Sequence, residues 1–564
     1  MYLRTTKRRN ADGSEVRYYQ LAENTWDRER GCAVAQVVYN FGRADQLEAE
    51  KLRRLAKSIL RVFSDDAAVL AEPGDISVRD SWPYGGVYLL EQLWKELEIP
   101  AVLKAHARTR RTAVPFERAL FAMVANRALS PYSKLYCWEQ WLREEVFLPS
   151  AQELELHHLY RAMDFLEGHK PEVEKAIYFK MADLMNADVD LIFYDTTSLH
   201  FEVDEEDEVA LKGLGKDYEP LRKRGHSKNG RGDAPQIVVG LAVTRDGLPV
   251  RSWVFSGETS DVTTVEKVKA DLRGWRLGRC VFVGDAGMNS EENRHTLTLG
   301  NGKYILASKM RGGDEVTKDV LARAGRYQDV RGNLQVKEVL VGDGERRRRY
   351  VVCHNPDEEI RQREHRKKLV ALLEAELASM RDSKGGHSKK ACELITNSRY
   401  GKYVRQTKRG LLRVDRAAVK EAARYDGKWV ITSNDDTLSA EDLALGYKQL
   451  LRVEQCWRQM KSGLRMRPVF HHRPWRIQAH VSISVLALLL ERVAETRVGD
   501  TWRNICAQLE SIKVVEYERG GARIRQTTEV RPEAAAMLKK LGVPIPPKLH
   551  EVVAVPDSPA PAVA

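Results

Sequence analysis

Two unbroken apolar runs, each closed by an aspartate, constrain this chain more than any other feature: LIFY before Asp195 and VFVG before Asp285. A run without the alternation of a half-exposed strand fills a strand covered on both faces. Carboxylates at the ends of such strands sit where loops open and ligands gather in α/β sheets. Between them lies a hairpin, PQIVVGLAVTRDGLPVRSWVFSG, turning at Asp246-Gly247. A helical stretch follows from Asp261 to Arg273, and NGKYILASKM supplies a third buried strand after Asp285. Strand, hairpin, helix and strand in that order predict an α/β sheet. For either aspartate alone, a turn or helix-capping role is the commoner reading, because Asp is frequent after strands.

The 564 residues exceed what one hydrophobic core usually organises, so several domains are expected. Residues 1–66 begin with strand-like runs, YLRTTKRR, VRYYQLA and AVAQVVYNFG, around an Asp12-Gly13 turn, and predict a β-rich domain with a small antiparallel sheet. Helical spacing runs from Gln46 to Phe63 and again from Gly85 to Asn186, which makes 67–186 a helical region. Its basic stretch HARTRRT reads equally as a solvated loop or a phosphate contact. The first part of the sheet core spans 187–311, and 312–426 reads as a β-rich insertion with a long charged helix from Pro356 to Ser383. The core resumes over 427–497 with KWVITSN, a helix from Ser439 to Lys461 and another from Arg476 to Arg492. A C-terminal region, 498–564, ends in the Pro- and Ala-rich VPDSPAPAVA, expected to be disordered.

Lys and Arg number 92 against 80 Asp and Glu, and the net charge of +12 suits nucleic acid as well as it suits an ordinary basic protein. The seven cysteines are scattered and never form a CxxC pair, which argues against a disulfide framework or a zinc knuckle and for a reducing compartment. Cys353 beside His354 has no second ligand pair at zinc spacing. The N-terminus has no apolar core of a signal peptide, and the longest apolar run, Val481 to Leu490, is too short for a bilayer. A cytoplasmic, nucleoid-associated chain with no membrane partner is therefore expected.

A third acid joins the two aspartates. In YKQLLRVEQCWRQMK, Tyr447, Glu454 and Lys461 recur every seventh residue and fall nearly in one row of a helix. Arg458 follows Glu454 by one turn, and taken alone the two read as a surface ion pair. Three carboxylates on one sheet-containing domain suit two hard cations such as Mg²⁺. Such a pair activates a water or a 3′-hydroxyl and stabilises a leaving oxygen.

With these residues in view, YDTT, VGDAG and Tyr-x6-Glu-x6-Lys resemble the three catalytic motifs of DDE-type insertion-sequence transposases with an RNase H-like core. The likeness extends through SKNGRGDAPQIVVGLAVTRDGLPV and WRIQAHVSISVLALLL, covering 190–310 and 427–495. It implies an RNase H-like mixed sheet flanked by helices, interrupted by the insertion and preceded by the N-terminal sheet and a helical DNA-binding region. It implies Asp195, Asp285 and Glu454 as catalytic, metal-binding residues for two Mg²⁺ ions, with Mn²⁺ able to substitute. The implied partners are double-stranded DNA, both the element's terminal inverted repeats and the target, and a second copy of the chain in the DNA complex. The implied reaction is hydrolytic nicking, commonly through a hairpin, then attack of the 3′-hydroxyl on the target.

The family's third motif carries an Arg three residues after the Tyr, where this chain has Leu450. Arg452 lies roughly 140° around the helix from the Tyr447 row, so Arg458 and Arg452 are the stand-ins. Tyr447, Lys461 and Arg458 would contact the strand being cut. The loop Arg222, Lys223, Arg224, Lys228 and Arg231 reads equally as a phosphate track or as solvated charge. Trp429 and Trp457 are candidates for holding a flipped base, with core packing the commoner role. His480 faces either the site or the core, with the core favoured. Two rivals stand beside the transposase reading: a structure-selective nuclease of the same fold, and a catalytically silent DNA-binding derivative.

Overall fold

The computed structural model describes residues 2–9, 15–27, 32–44, 47, 54, 76–107, 114–185, 190–228, 230–273, 275, 280–311, 315–382, 388–397, 399–408 and 410–554. The Asp12-Gly13 turn, nearly all of the 46–63 stretch, the arginines of HARTRRT and the VPDSPAPAVA tail lie outside them. Two compact units are built from the described residues of Met1–Gly85, Leu509–Ala536 and Pro544–Ala564 on one hand, and of Gly86–Gln508 and Met537–Val543 on the other.

In the first unit, β1 (Tyr2–Arg9), β2 (Glu15–Asp27) and β3 (Cys32–Arg43) form the expected antiparallel sheet, with Tyr2 opposite Ala22 and Tyr18 opposite Arg43. The short β4 (Ser77–Pro83) belongs to a separate sheet with strands from the far end of the chain.

The second unit opens with helices. Phe116–Leu129 is buried on nearly every face and packs against Leu156–Gly168, where Phe116 stacks on Phe165 with ring centres 4.5 Å apart. Ser133 accepts from the Tyr136 amide at 3.1 Å and starts the next helical stretch.

The main sheet begins at β5 (Leu191–His200), in which Asp195 and His200 are the residues that escape full burial. The sequence predicts a strand that closes at Asp195, where its apolar run ends. It runs on to His200 because β8 keeps pairing with it, Asp195 opposite Leu241 and His200 opposite Gln236. After the small ribbon β6 (Leu211–Gly213) and β7 (Lys216–Tyr218), β8 (Gln236–Val243) and β9 (Pro249–Ser256) form the hairpin around Asp246-Gly247. Gly247 adopts φ 77°, the left-handed turn conformation that glycine tolerates. Helix Asp261–Arg273 leads to β10 (Val281–Gly284), and β11 (Lys303–Ser308) lies beside it, β10 being parallel to both β5 and β11.

Residues 328–354 supply β12 (Gln328–Asp329), β13 (Gln335–Val341) and β14 (Arg348–His354), which extend this same sheet. Helix Pro356–Asp382, helix Ser388–Thr396, the ribbon of β15 (Val404–Gln406) and β16 (Leu412–Val414) and helix Arg416–Ala423 follow, sharing a core of Leu373, Leu377, Leu394, Tyr403, Leu412 and Ala422. The chain then re-enters the sheet as β17 (Lys428–Ser433), antiparallel to both β11 and β14. The nine strands run in the order β12-β13-β14-β17-β11-β10-β5-β8-β9, a mixed sheet in an α/β unit.

The helix expected from Ser439 to Lys461 is divided. Ser439 caps Ala440–Lys448 through a reciprocal bond with Asp442, and Leu451–Arg458 follows after two tightened residues. There Leu450 N bonds Tyr447 O and Arg452 N bonds Gln449 O, each three residues apart. Beyond Arg458 the turn widens, Leu464 N reaching back five residues to Gln459 O. Tyr447, Glu454 and Lys461 thus occupy three successive segments rather than one straight row.

Helix Pro474–Val498 ends at Gly499, whose φ of 75° gives a left-handed cap. At 25 residues it is long and apolar enough to cross a membrane, contrary to the expectation drawn from Val481 to Leu490 alone, and 89% of its most apolar window is buried inside the protein. It packs on Phe116–Leu129, Leu156–Gly168 and β9. In the first unit, β18 (Lys513–Arg519), β19 (Ala522–Thr527) and β20 (Leu549–Ala554) complete the antiparallel sheet begun by β4, in the order β20-β19-β18-β4. Six cysteines are free thiols among the described residues.

Candidate active site

Strand register brings the two aspartates to one level. Val283 of β10 pairs with Phe193 of β5, so Asp285, two residues on, comes level with Asp195. Asp285 leaves β10 and opens the turn Ala286–Met288, its Oδ1 accepting from the Gly287 amide at 2.8 Å. A Cβ placed on Gly287 would stand 3.0 Å from Asp285 Oδ1 and 3.3 Å from Asp261 Oδ2, so the bare glycine lets a second carboxylate close in.

Asp261, the first residue of its helix, was not singled out from sequence, where it reads as an ordinary helix start. It accepts a short hydrogen bond from Thr196 Oγ1, and Lys228 Nζ lies 2.9 Å from its Oδ2. The same ammonium is 3.8 Å from Asp195 Oδ1 and donates to Thr196 O at 2.9 Å and Thr196 Oγ1 at 2.7 Å. Burial pushes the Asp195 carboxyl up to about 6, with the charges of Asp285 and Asp261 acting in the same direction. Lys228 and the Thr196 amide oppose that rise.

Glu454 is exposed on helix Leu451–Arg458, which packs on β5 and β8. Arg458 lies one turn further along the same helix and is likewise exposed. The Tyr447 phenol, raised first by burial, is raised further by the charges of Asp285, Glu454 and Asp195. The Lys461 ammonium is pulled down by burial and by the charges of Arg467 and Lys228, while Asp195 draws it up. Arg452 is exposed and touches Gln455 at 3.3 Å.

Three residues of the basic loop are paired with Glu206 and Asp207, which precede it in the chain. Arg222 Nε donates to Asp207 Oδ1 at 2.8 Å, Lys223 lies 3.8 Å from Glu206, and Arg224 3.5 Å from Glu206. Arg231 bonds Asp233 at 3.0 Å. Trp429 is half-buried on β17, two residues before Ile431, which pairs with Ala307 of β11, and Trp457 is 5% exposed. Neither indole N–H has a partner among the described residues. His480 is a core residue, its Nε2 2.9 Å from Met466 O.

The donors gathered here are all oxygens, the set that hard divalent cations prefer. A cation already stands among them in the form of the Lys228 ammonium. Among the described residues no three acidic, histidine or cysteine side chains converge as tightly as metal ligands do. The set fits a divalent ion in chemistry, and its side chains must draw in to ligate one.

A mixed sheet of this kind, with acids at the level where its parallel strands end, has the RNase H-like architecture of the transposase DDE domain, and that family matches residues 216–490. The N-terminal domain of IS1634 family transposases matches residues 3–70, and the two stretches together cover more than half of the chain. The protein belongs to the DDE-type insertion-sequence transposases, and it is a DNA transposase. Asp285 and Glu454 fall inside the matched DDE region and Asp195 precedes it. Among curated proteins none matches. Two solved structures are similar at low level: a piggyBac transposase synaptic complex with hairpin DNA, at 9% identity over 78% of this chain and 82% of that one with a TM-score of 0.36; and a Mos1 transposase paired-end complex with the left transposon end, at 14% identity over 47% and 68% with a TM-score of 0.14. At these scores the family assignment rests on the two matched domains.

Proposed function

We propose that Asp195, Asp285 and Glu454 form the reaction centre with which this transposase cuts the terminal inverted repeats of its element and joins the freed 3′-hydroxyls to target DNA. The observation that carries the reading is geometric: the β5–β10 register sets Asp195 and Asp285 at one level, and the helix that bears Glu454 packs on β5 and β8. Two divalent ions, Mg²⁺ or Mn²⁺, would be held by these carboxylates and supply Lewis acidity to the attacking and leaving oxygens.

The chain's own groups do the rest. The Gly287 amide fixes Asp285, and β8 fixes Asp195 on both sides of its strand position. Tyr447 keeps its proton and can donate it in a hydrogen bond to a phosphate oxygen. Lys461 and the exposed Arg458 present positive charge to the strand being cut, which positions phosphate without reading sequence. Trp429, half-buried and with its N–H unpartnered, is the better of the two indoles for stacking on a flipped base at a hairpin end. Two element ends require two such centres, so a homodimer on DNA is part of the proposal.

Asp195→Ala, Asp285→Ala and Glu454→Ala should each abolish Mg²⁺-dependent cleavage of element-end DNA, by at least about a hundredfold, while gel-shift binding of that DNA persists. Full cleavage by any one of them removes that residue from the centre.

A further inference from the structure

The loop before β8 sends Lys228 inward. Its ammonium contacts Asp261 Oδ2 at 2.9 Å, Thr196 Oγ1 at 2.7 Å and Thr196 O at 2.9 Å, with Asp195 Oδ1 at 3.8 Å. These four oxygens come from two elements, strand β5 and the start of helix Asp261–Arg273. The loop is tied to the same strand by the Lys228 amide, 3.5 Å from Ser198 Oγ, and is braced by the Arg231 amide on Ser227 Oγ at 3.0 Å. A surface lysine gains little from one carboxylate. An all-oxygen cage that includes two carboxylates is a cation site, and this chain fills it with its own side chain.

We propose that Lys228 is a tethered counter-ion that holds Asp195 and Asp261 together in the metal-free protein and gives up its place when a divalent cation binds Asp195. The inference rests on the reading of Asp195 as a metal-binding carboxylate. Without a positive charge between them, Asp195, Asp261 and the neighbouring Asp285 repel one another across a partly desolvated space. An ammonium relieves that repulsion, and it also competes with the incoming ion for the Asp195 oxygen. Lys228 therefore lowers the apparent affinity for metal. Once displaced, it stands at the mouth of the site, where the phosphate of a bound strand arrives. It acts through Asp195 and is a positioning residue.

The test titrates Mn²⁺ into the full-length protein and reads free Mn²⁺ by electron paramagnetic resonance, with no DNA and no turnover. Lys228→Gln should bind Mn²⁺ about tenfold more tightly than the unaltered protein, the order expected on removing one competing charge from a partly exposed site. Lys228→Arg, which keeps the charge, should bind close to the unaltered protein. Thr196→Val removes a hydroxyl acceptor from the cage but no carboxylate, and it should shift affinity the same way as Lys228→Gln, which covers the case of a misfolded glutamine variant. If Lys228→Gln lowers only the metal-free melting temperature and leaves Mn²⁺ affinity unchanged, the lysine is structural and the proposal fails. Asp195→Asn separates the two readings: loss of Mn²⁺ binding in it, with no effect of Lys228→Gln, overturns the counter-ion alone, whereas unchanged Mn²⁺ binding in it overturns both.

Discussion

Asp195 shows how a single side chain is held against its own solvation. It sits in a strand whose neighbours are buried, with two more carboxylates close by, and its carboxyl is raised from 3.8 to about 6. The unfolded chain has lost that proton by pH 5, while the folded protein still keeps most of it. Stability from this group is thus fully present below pH 3.8 and falls as pH rises through 6. In chelator, Asp195→Asn should be more stable than the unaltered protein above pH 6, by up to about 3 kcal/mol, and the two should converge near pH 4. Calorimetry across that range checks it, and a gap independent of pH would mean that the charge is not what strains the fold.

At the scale of elements, the site depends on how closely β5 lies against β8. Gly240 pairs with Thr196, and a Cβ on it would come within 2.6 Å of Tyr194 Oη, a ring that already packs edge-on against Trp253. Gly240→Ala should cost about 1–3 kcal/mol through overpacking and lower the melting temperature, and wild-type stability would show that Tyr194 has room to move. Ser439→Ala, which removes the cap of helix Ala440–Lys448, should cost about 1 kcal/mol. The strands were legible because burial on both faces leaves an unbroken apolar run, and VDLIFYDTT, RCVFVGDAG and KWVITSN all carry one. Helix Asp261–Arg273 could be read to the residue. The tightened turn at Gln449 and Leu450 could not, since both residues are good helix formers and only hydrogen bonding three residues back marks it. The proximity of Asp261 to Asp285 was equally hidden: it depends on Gly287 having no side chain, in a turn remote from Asp261 in sequence.

For the whole molecule, the net charge of +12 overstates what is available to a polyanion. Arg222, Lys223 and Arg224 are engaged with Glu206 and Asp207, so part of the positive surface is already neutralised within the chain. A bound DNA strand releases counter-ions only for the charges that reach it, and the slope of log affinity against log salt is about −0.9 for each phosphate neutralised. Glu206→Gln frees Lys223 and Arg224 without touching the three proposed catalytic acids. It should raise affinity for element-end DNA at low salt and steepen that slope by about 1 to 2, and the unaltered protein should itself show a clear salt dependence. Fluorescence anisotropy with a labelled end fragment at several salt concentrations measures both. An unchanged slope in Glu206→Gln would place this loop away from the phosphate track, and a flat response in the unaltered protein would remove phosphate contacts from the account of how it holds its DNA.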